Sequence, residues 1–448
     1  MPEKVTAVIR RPDHVPLITT KLQCPQYQGR MLERTDLLPS SHWTVLLVLA
    51  PAGYGKTVFL SQLAQGSPRP VAWYSLDPYD NEPSAFFRHL AAALHKHGEL
   101  DEVQLHRLVS RTQPEALCRT ALGFFVRALE SLPHGALIIL DNLQAIDHPI
   151  IYQFLTELVP LLPQHTQLAV GGRNSLELVG QLGLEGLHLT GQVRVLGRKD
   201  LEFSPEELEA FLSLRGTPAV DQLKLVADLS AGWPITVSFL AQSGPGLAEA
   251  KEKISPALAG YIDREILQEI PEDIRDFLFK TSVFASFTAA DSDYLLGGSC
   301  SEERLAYLQT HQLFLEKRGD FYSLVPIMRL HLKGKLGAER PALCRKAGVV
   351  AINRGNLHQA ISCFLEAGER KSIPDLVTTL GGEAVLHGRW HELEGWFETS
   401  VTEEEIRNNP LCRSCRPWLR LAAVSSGVPS APSAGPNPCS RPAAISWA

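Results

Sequence analysis

Residues 44–57 read Thr-Val-Leu-Leu-Val-Leu-Ala-Pro-Ala-Gly-Tyr-Gly-Lys-Thr. An apolar run closes on a glycine-spaced loop that ends in Lys-Thr. A run of consecutive apolar residues is the pattern of a strand covered on both faces. Gly53 and Gly55 let the backbone turn tightly, so that successive N–H groups can face a polyphosphate. Lys56 supplies a point charge for the β- and γ-phosphates, and Thr57 a hydroxyl for Mg²⁺. The helix that begins near Lys56 presents the positive end of its dipole to the anion. The stretch departs from G-x-x-x-x-G-K-[ST] at one place, where Ala50 stands for the first glycine. Alanine is small and that position ends the strand, so the loop is expected to survive. Residues 50–57 (Ala50, Pro51, Ala52, Gly53, Tyr54, Gly55, Lys56, Thr57) are therefore read as a nucleotide-binding loop.

Outward from this loop the chain alternates strands and helices. Val71–Leu76, Gly135–Asp141 and Gln167–Arg173 read as further strands, and Pro83–His97 as an amphipathic helix with Phe86, Phe87, Leu90 and Leu94 on one face. Strand–helix alternation predicts a parallel α/β sheet. After residue 195 the pattern becomes helical. Phe203–Leu208 carries a helix start, with Ser204 as N-cap, Pro205 in the first turn and Glu207 three residues after the cap. Short helices and a small strand pair near Leu313–Leu324 follow. From Pro341 the spacing of Ala347, Ala351, Ala360 and Phe364, with Gly355 at the turn, predicts helical hairpins. Of residues 422–448, 20 are Ala, Ser, Gly or Pro. Such a segment buries too little apolar surface to fold.

Ala136–Asp141 is an apolar run that closes on an acid, and in a phosphate-loop protein such an acid lies beside the loop and helps hold Mg²⁺. Asp141 and Thr57 are thus the metal candidates. The next residue, Asn142, cannot accept a proton, which predicts slow or absent turnover unless another group such as Asp147 serves as base. Arg173 ends a strand at the same edge. Its guanidinium is placed to sense a γ-phosphate, or it is an ordinary surface arginine after a strand. Gly232-Trp233-Pro234 is read as a wall for a purine, or as a turn between helices. Lys56, Asp141 and Arg173 complete the catalytic candidates.

At 448 residues the chain has room for two to four domains. The net charge of −6 gives no basic surplus of the kind that marks a nucleic-acid binder. Met1–Arg11 has no secretory pattern and no apolar run is long enough for a bilayer span, so a cytoplasmic location without membrane contact is expected. Among the eight cysteines only Cys412 and Cys415 have C-x-x-C spacing, and with only Cys439 following, structural zinc is not expected.

These residues resemble the family of the maltose-regulon activator and related large ATP-dependent LuxR-type transcriptional regulators, in the STAND class of signalling ATPases. The resemblance is carried by Thr20–Pro25 with Leu32–Leu37, Ala50–Thr57, Trp73–Asp77 with Asp80-Asn81, Leu140-Asp141, Arg173, Leu201–Ser204, Ala231–Pro234, Arg275–Leu278 with Thr281-Ser282, and Gln309–Leu315. They run in family order from about residue 19 to 370. The resemblance implies an α/β P-loop NTPase domain followed by an all-α lid, a winged helix and helical (TPR-like) repeats. The expected bounds are a leader at 1–18, nucleotide-binding domain 19–195, lid 196–256, winged helix 257–336, partial repeats 337–421 and a low-complexity tail 422–448.

The resemblance further implies ATP or ADP with Mg²⁺ as switch ligands. ADP would hold a closed monomer, and ATP with an inducer (a small molecule or protein, bound by the helical region) would drive self-association. It places Trp233, Pro234 and the Arg34 segment beside the base. The chain stops before the family's helix-turn-helix, so no direct DNA binding is expected of it, and the change near Pro410–Trp418 reads as a truncated or out-of-frame end. The family's Tyr-His-Pro-Leu-Phe stands over Leu324–Met328, so the histidine that approaches the ADP phosphates is replaced. Two other functions remain open: a P-loop ATPase with steady turnover, and a nucleotide-stabilised protein-interaction module.

Overall fold

The computed structural model describes residues 17–27, 31–37, 43–95, 114–173, 177–216, 218–242, 254–370 and 373. The leader up to residue 16, the end of the helix expected to reach His97, the Cys412/Cys415 pair and the tail lie outside the described residues. Two compact units are formed, one from the chain up to Ile270 with 306–315 and 325–327, the other from 271–305, 316–324 and 328 onward.

In the first unit, β1 (Val45–Leu49) is buried at every residue and leads through the loop into α1 (Lys56–Gly66). β2 (Val71–Ser75), α2 (Pro83–His95), α3 (Pro114–Glu130), β3 (Leu137–Asp141), α4 (Pro149–Leu158) and β4 (Gln167–Gly172) follow. The sheet is parallel with order β2-β3-β4-β1-β5. The fifth strand, β5 (Val193–Leu196), closes the edge beside β1. Its alternation is too short to stand out in the sequence: only Val193 and Leu196 are buried, and Arg194 is exposed. The four strands read from the sequence fall within one or two residues of the observed ones. Their consecutive apolar residues are buried because helices cover both faces. On one face Phe86, Phe87, Phe125 and Phe154 pack with ring centroids 4.9–6.3 Å apart.

An ionic cluster fixes the chain ahead of the sheet. Lys21 Nζ contacts Asp77 Oδ2 at 2.7 Å and the buried Asp80 Oδ2 at 2.9 Å. The Ile18 N–H donates to His89 Nε2 at 3.1 Å, which leaves Nδ1 to donate to the Ala85 carbonyl at 2.8 Å. Lys21 and the Asp77–Asp80 pair, distant in sequence, therefore form one structural unit.

Two short helices, α5 (Glu177–Gln181) and α6 (Glu185–Leu189), precede β5, and α7 (Arg198–Leu201) follows it. Then come α8 (Pro205–Ser213), α9 (Val220–Ser230) and α10 (Pro234–Gln242), a small all-helical core around Leu208, Val226 and Val237. The expected capping box is present: the Glu207 N–H donates to Ser204 Oγ and the Ser204 N–H to Glu207 Oε2. α11 (Pro256–Ile262) runs into one π-helical turn, Asp263–Leu267.

Further along lie α12 (Glu272–Thr281), α13 (Ala289–Leu296) and α14 (Ser301–Thr310), then the hairpin of β6 (Leu315–Arg318) with β7 (Phe321–Leu324), and α15 (Pro326–Gly334). In the second unit α16 (Arg340–Asn353) and α17 (Leu357–Glu366) form the expected antiparallel pair, turning at Gly355 with φ +69°. Glu366 joins α17 to α16 through Arg340 at 2.9 Å and to α15 through Lys333 at 2.7 Å. Gly348 sits where a Cβ would meet the Phe364 ring at 2.9 Å, so the two helices approach closely there.

Candidate functional site

The loop between β1 and α1 borders a cavity of about 510 Å³. Its lining takes in Gly53–Thr57 of the loop with Asn142 and Arg173, the apolar Met31, Leu32, Phe203, Phe211, Pro234 and Ile235, and the polar Arg34, Gln62, Arg215, Ser238 and Gln242. Charged, polar and apolar groups all border the cavity, a mixture that suits a ligand with both anionic and apolar parts.

Gly53 (φ +80°) and Gly55 (φ +78°) occupy the left-handed region, which a side chain would strain. The Lys56 side chain folds back over the loop, with Nζ donating to the carbonyls of Ala50 at 2.7 Å and Pro51 at 2.9 Å. Lys56 is only 7% exposed. Burial, and then the nearby Arg173 charge, lower its pKa from 10.5 to about 8, against the opposing pull of Asp141 and Glu269. Thr57 Oγ1 donates to Asp141 Oδ2 at 2.8 Å. Asp141 is buried, which raises its pKa, although the Thr57 hydrogen bond and the Lys56 charge pull the other way. Gly171 on β4 makes room for that carboxylate: a Cβ there would lie 2.6 Å from Asp141 Oδ1 and 2.8 Å from Leu60 Cδ1.

Asn142 holds φ +64°, and its N–H donates to Asp141 Oδ1 at 3.0 Å. Asp147, the alternative base, is held by Asn81: its N–H donates to Asn81 Oδ1 at 2.9 Å, and its carboxylate accepts from the Asn81 amide. It is not part of the cavity lining.

Arg173 borders the cavity and also a second one of about 240 Å³. Its guanidinium is bonded to the Glu265 carbonyl at 3.1 Å and to the Glu269 carboxylate, with the Glu265 carboxylate at 3.5 Å. It is therefore neither an unattached surface arginine nor, in this state, aimed only at the loop.

The residues expected beside the base divide. Trp233 is not a wall of the cavity. It is fully buried outside the lining, with its ring 6.2 Å from Tyr54 and 4.8 Å from Phe314, and Nε1 donating to the Ala52 carbonyl at 3.2 Å. Pro234 does line the cavity. The Arg34 segment borders it too, but the guanidinium is spent elsewhere. It donates five hydrogen bonds, two to the Glu207 carboxylate and three to the carbonyls of Asp200, Leu201 and Glu202. Gln62 on α1 adds a clamp on the same segment, donating to the Leu32 carbonyl and accepting from the Arg34 N–H. Arg34 is thus a strap between the segment over α1 and the α7–α8 region. Arg34→Ala is expected to cost about 2–3 kcal/mol, since a buried charge-bonded network loses its centre. A lower denaturant midpoint with unchanged slope would show it.

Met31, Phe211, Ile235 and Gln62 were not singled out in the sequence, and Leu32 and Phe203 only as parts of longer segments, because nothing local marks an apolar residue as lining a site rather than a core. Among the described residues no group of three His, Cys, Asp or Glu side chains could hold a metal by itself, and no helix is long and apolar enough to cross a membrane.

Residues 263–344 match the model of the MalT winged helix domain. Over 428 residues the chain is 26% identical to the HTH-type transcriptional regulator MalT of Cronobacter sakazakii, which covers 90% of this chain and 46% of that protein. The chain therefore spans about half the length of this curated relative. Among solved structures it is similar to a STAND protein with a tetratricopeptide repeat sensor from Pyrococcus horikoshii, at 15% identity over 92% of this chain and 58% of that one, with TM-score 0.38. It is also similar to a Walker-type ATPase of Pyrococcus abyssi, at 12% identity over 68% of this chain and 99% of that one, with TM-score 0.46.

The parallel sheet, the loop and the Thr57–Asp141 pair define a P-loop NTPase domain, followed along the chain by a winged helix. The chain is MalT-like.

Proposed function

We propose that this chain is the ATP-binding signalling core of a MalT-like transcriptional regulator, in which nucleotide acts as a switch for self-association. The observation that carries it is the Thr57 Oγ1–Asp141 Oδ2 contact beside the buried Lys56, where the loop borders a cavity of mixed polar and apolar lining. The reading keeps the bounds 19–195 for the nucleotide domain, 196–256 for the lid, 257–336 for the winged helix and 337–421 for the partial repeats. Leader and tail flank them. Inducer binding by the helical region and a cytoplasmic location complete it, with DNA contact left to a domain other than these.

Lys56 and the loop N–H groups bind phosphates. A hydroxyl and a carboxylate suit a hard cation that completes its shell with phosphate and water, so Thr57 and Asp141 would hold Mg²⁺. That ion would neutralise phosphate charge. Arg173 would meet the γ-phosphate on leaving Glu265 and Glu269. Asn142 supplies no base and Asp147 is engaged with Asn81, which favours a slow switch over steady turnover.

The test is to denature the purified protein and identify the released nucleotide by chromatography, then to follow its oligomeric state with ATP and with ADP. Retained nucleotide and ATP-dependent association support the switch. Rapid multiple turnover would replace it by an ATPase, and equal stabilisation by ADP and ATP without association by an interaction module.

A pH dependence follows from Lys56. Its pKa in the free protein is about 8, and a bound polyphosphate favours the charged form and raises it. Binding therefore takes up a proton above that value. Affinity for inorganic tripolyphosphate, titrated in EDTA and corrected for the ligand's own protonation, is expected to be flat below about pH 7 and to fall by up to about tenfold per unit above pH 8.

A further inference from the structure

A loop that binds anions through N–H groups must turn its carbonyl oxygens away from the anion, and those oxygens need donors of their own. Lys56 serves the carbonyls of Ala50 and Pro51. The next two are served from 180 residues away. Trp233 Nε1–H donates to Ala52 O at 3.2 Å, and the Ile235 N–H to Gly53 O at 3.0 Å. In a planar trans peptide the N–H of the following residue points opposite to the C=O. Holding Ala52 O and Gly53 O toward the start of α10 therefore aims the N–H groups of Gly53 and Tyr54 away from it.

The contact is close as well as polar. A Cβ on Gly53 would lie 2.5 Å from Ile235 Cγ2 and 2.9 Å from Trp233 Nε1. Gly53 is thus required by its neighbours in α10 as well as by its φ. The indole itself cannot shift easily, being fully buried between Tyr54 and Phe314.

We infer that Trp233 and Ile235 are positioning residues for the phosphate cradle: the start of α10 orients the loop's peptide groups, so that phosphate affinity depends on the helical region docking there. This rests on the nucleotide reading of the loop. It assigns Trp233 to the phosphates, not to the base.

The test compares ATP with inorganic tripolyphosphate by calorimetric titration of the whole chain. Trp233→Phe keeps a ring and removes the donor. Both ligands are expected to bind about tenfold more weakly, by the same factor, because a buried carbonyl loses its partner. A loss for ATP alone would mean a base contact and overturn the inference. So would unchanged affinity for both with a lowered melting temperature, the outcome of a merely structural role. Where Trp233→Phe shows no cooperative thermal transition, the benzothiophene isostere of tryptophan at position 233 is measured instead. It keeps the shape and lacks only the N–H, and the same expectations apply. Parent protein that binds neither ligand would overturn this inference and the nucleotide reading together, whereas parent binding with an unaffected variant overturns this inference alone.

Discussion

Lys56→Ala is expected to lower the affinity for ATP by about a hundredfold, because a charge-assisted hydrogen bond to phosphate contributes about 1.5–3 kcal/mol and each 1.4 kcal/mol is a factor of ten. The upper end of that range applies here. Lys56 is buried at the loop, where its charge is poorly screened, and its Nζ is already held over the carbonyls of Ala50 and Pro51. The fold should survive, since removing the lysine also removes a charge whose burial is costly, as its pKa of about 8 records. Calorimetric titration with ATP, beside a thermal melt, checks both halves. An affinity within threefold of the parent would mean that the ligand of this cavity is not held by its phosphates. A collapsed melt would make Lys56 a structural cation instead.

Gly171→Val is expected to destabilise the first unit by about 3 kcal/mol, at the high end for overpacking in a close-packed core. Gly171 lies in the middle of the sheet, in register with Val48 on β1. The first added carbon would overlap Asp141 Oδ1 at 2.6 Å and Leu60 Cδ1 at 2.8 Å, and neither neighbour can yield cheaply. Leu60 is packed on α1, and the Asp141 carboxylate is fixed by the Thr57 hydroxyl and the Asn142 N–H. Displacing Asp141 would separate it from Thr57, so magnesium-dependent tightening of ATP binding should be lost with the stability. At about 2–4 °C per kcal/mol for a unit of this size, the melting temperature should fall by roughly 6–12 °C. A variant that melts within 2 °C of the parent would show that the sheet admits a side chain there.

The comparison of these two residues shows which parts of the site were readable beforehand. Lys56 announces itself because a phosphate loop is a local device: the strand, the glycines, the lysine and the hydroxyl are consecutive, and their chemistry needs nothing from elsewhere in the chain. Gly171 looked like any glycine at a strand end. Its role exists only because the parallel register sets β4 beside β3 and α1 over both. Asp141 lay between these cases, since an acid closing an apolar strand suggests a cation site, but only the fold brings its carboxylate within 2.8 Å of the Thr57 hydroxyl.

The helices after the sheet show the same division more sharply. The capping box at Ser204–Glu207 is local, and spacing alone predicted it. That Glu207 also binds Arg34, 173 residues earlier, depends on where α8 packs. Trp233-Pro234 was legible as a rigid element and illegible as to what it faces. The purine wall expected of it divides in space: Pro234 borders the cavity, while Trp233 turns to the loop carbonyls. Arg173 likewise reaches the expected edge of the sheet and is met there by Glu265 and Glu269, which no spacing rule connects to it.

The sequence by itself determined the strand-loop-helix of phosphate-loop type, the parallel α/β class, the helix caps and the α16–α17 hairpin, because each is written in contiguous residues with a fixed period. Only the tertiary structure decided which groups serve the loop from behind, which side chains line the cavity with it, and which partners hold Arg34 and Arg173. Those depend on distances between residues tens to hundreds of positions apart, and a hydrogen bond of 3 Å has no counterpart in the order of the chain.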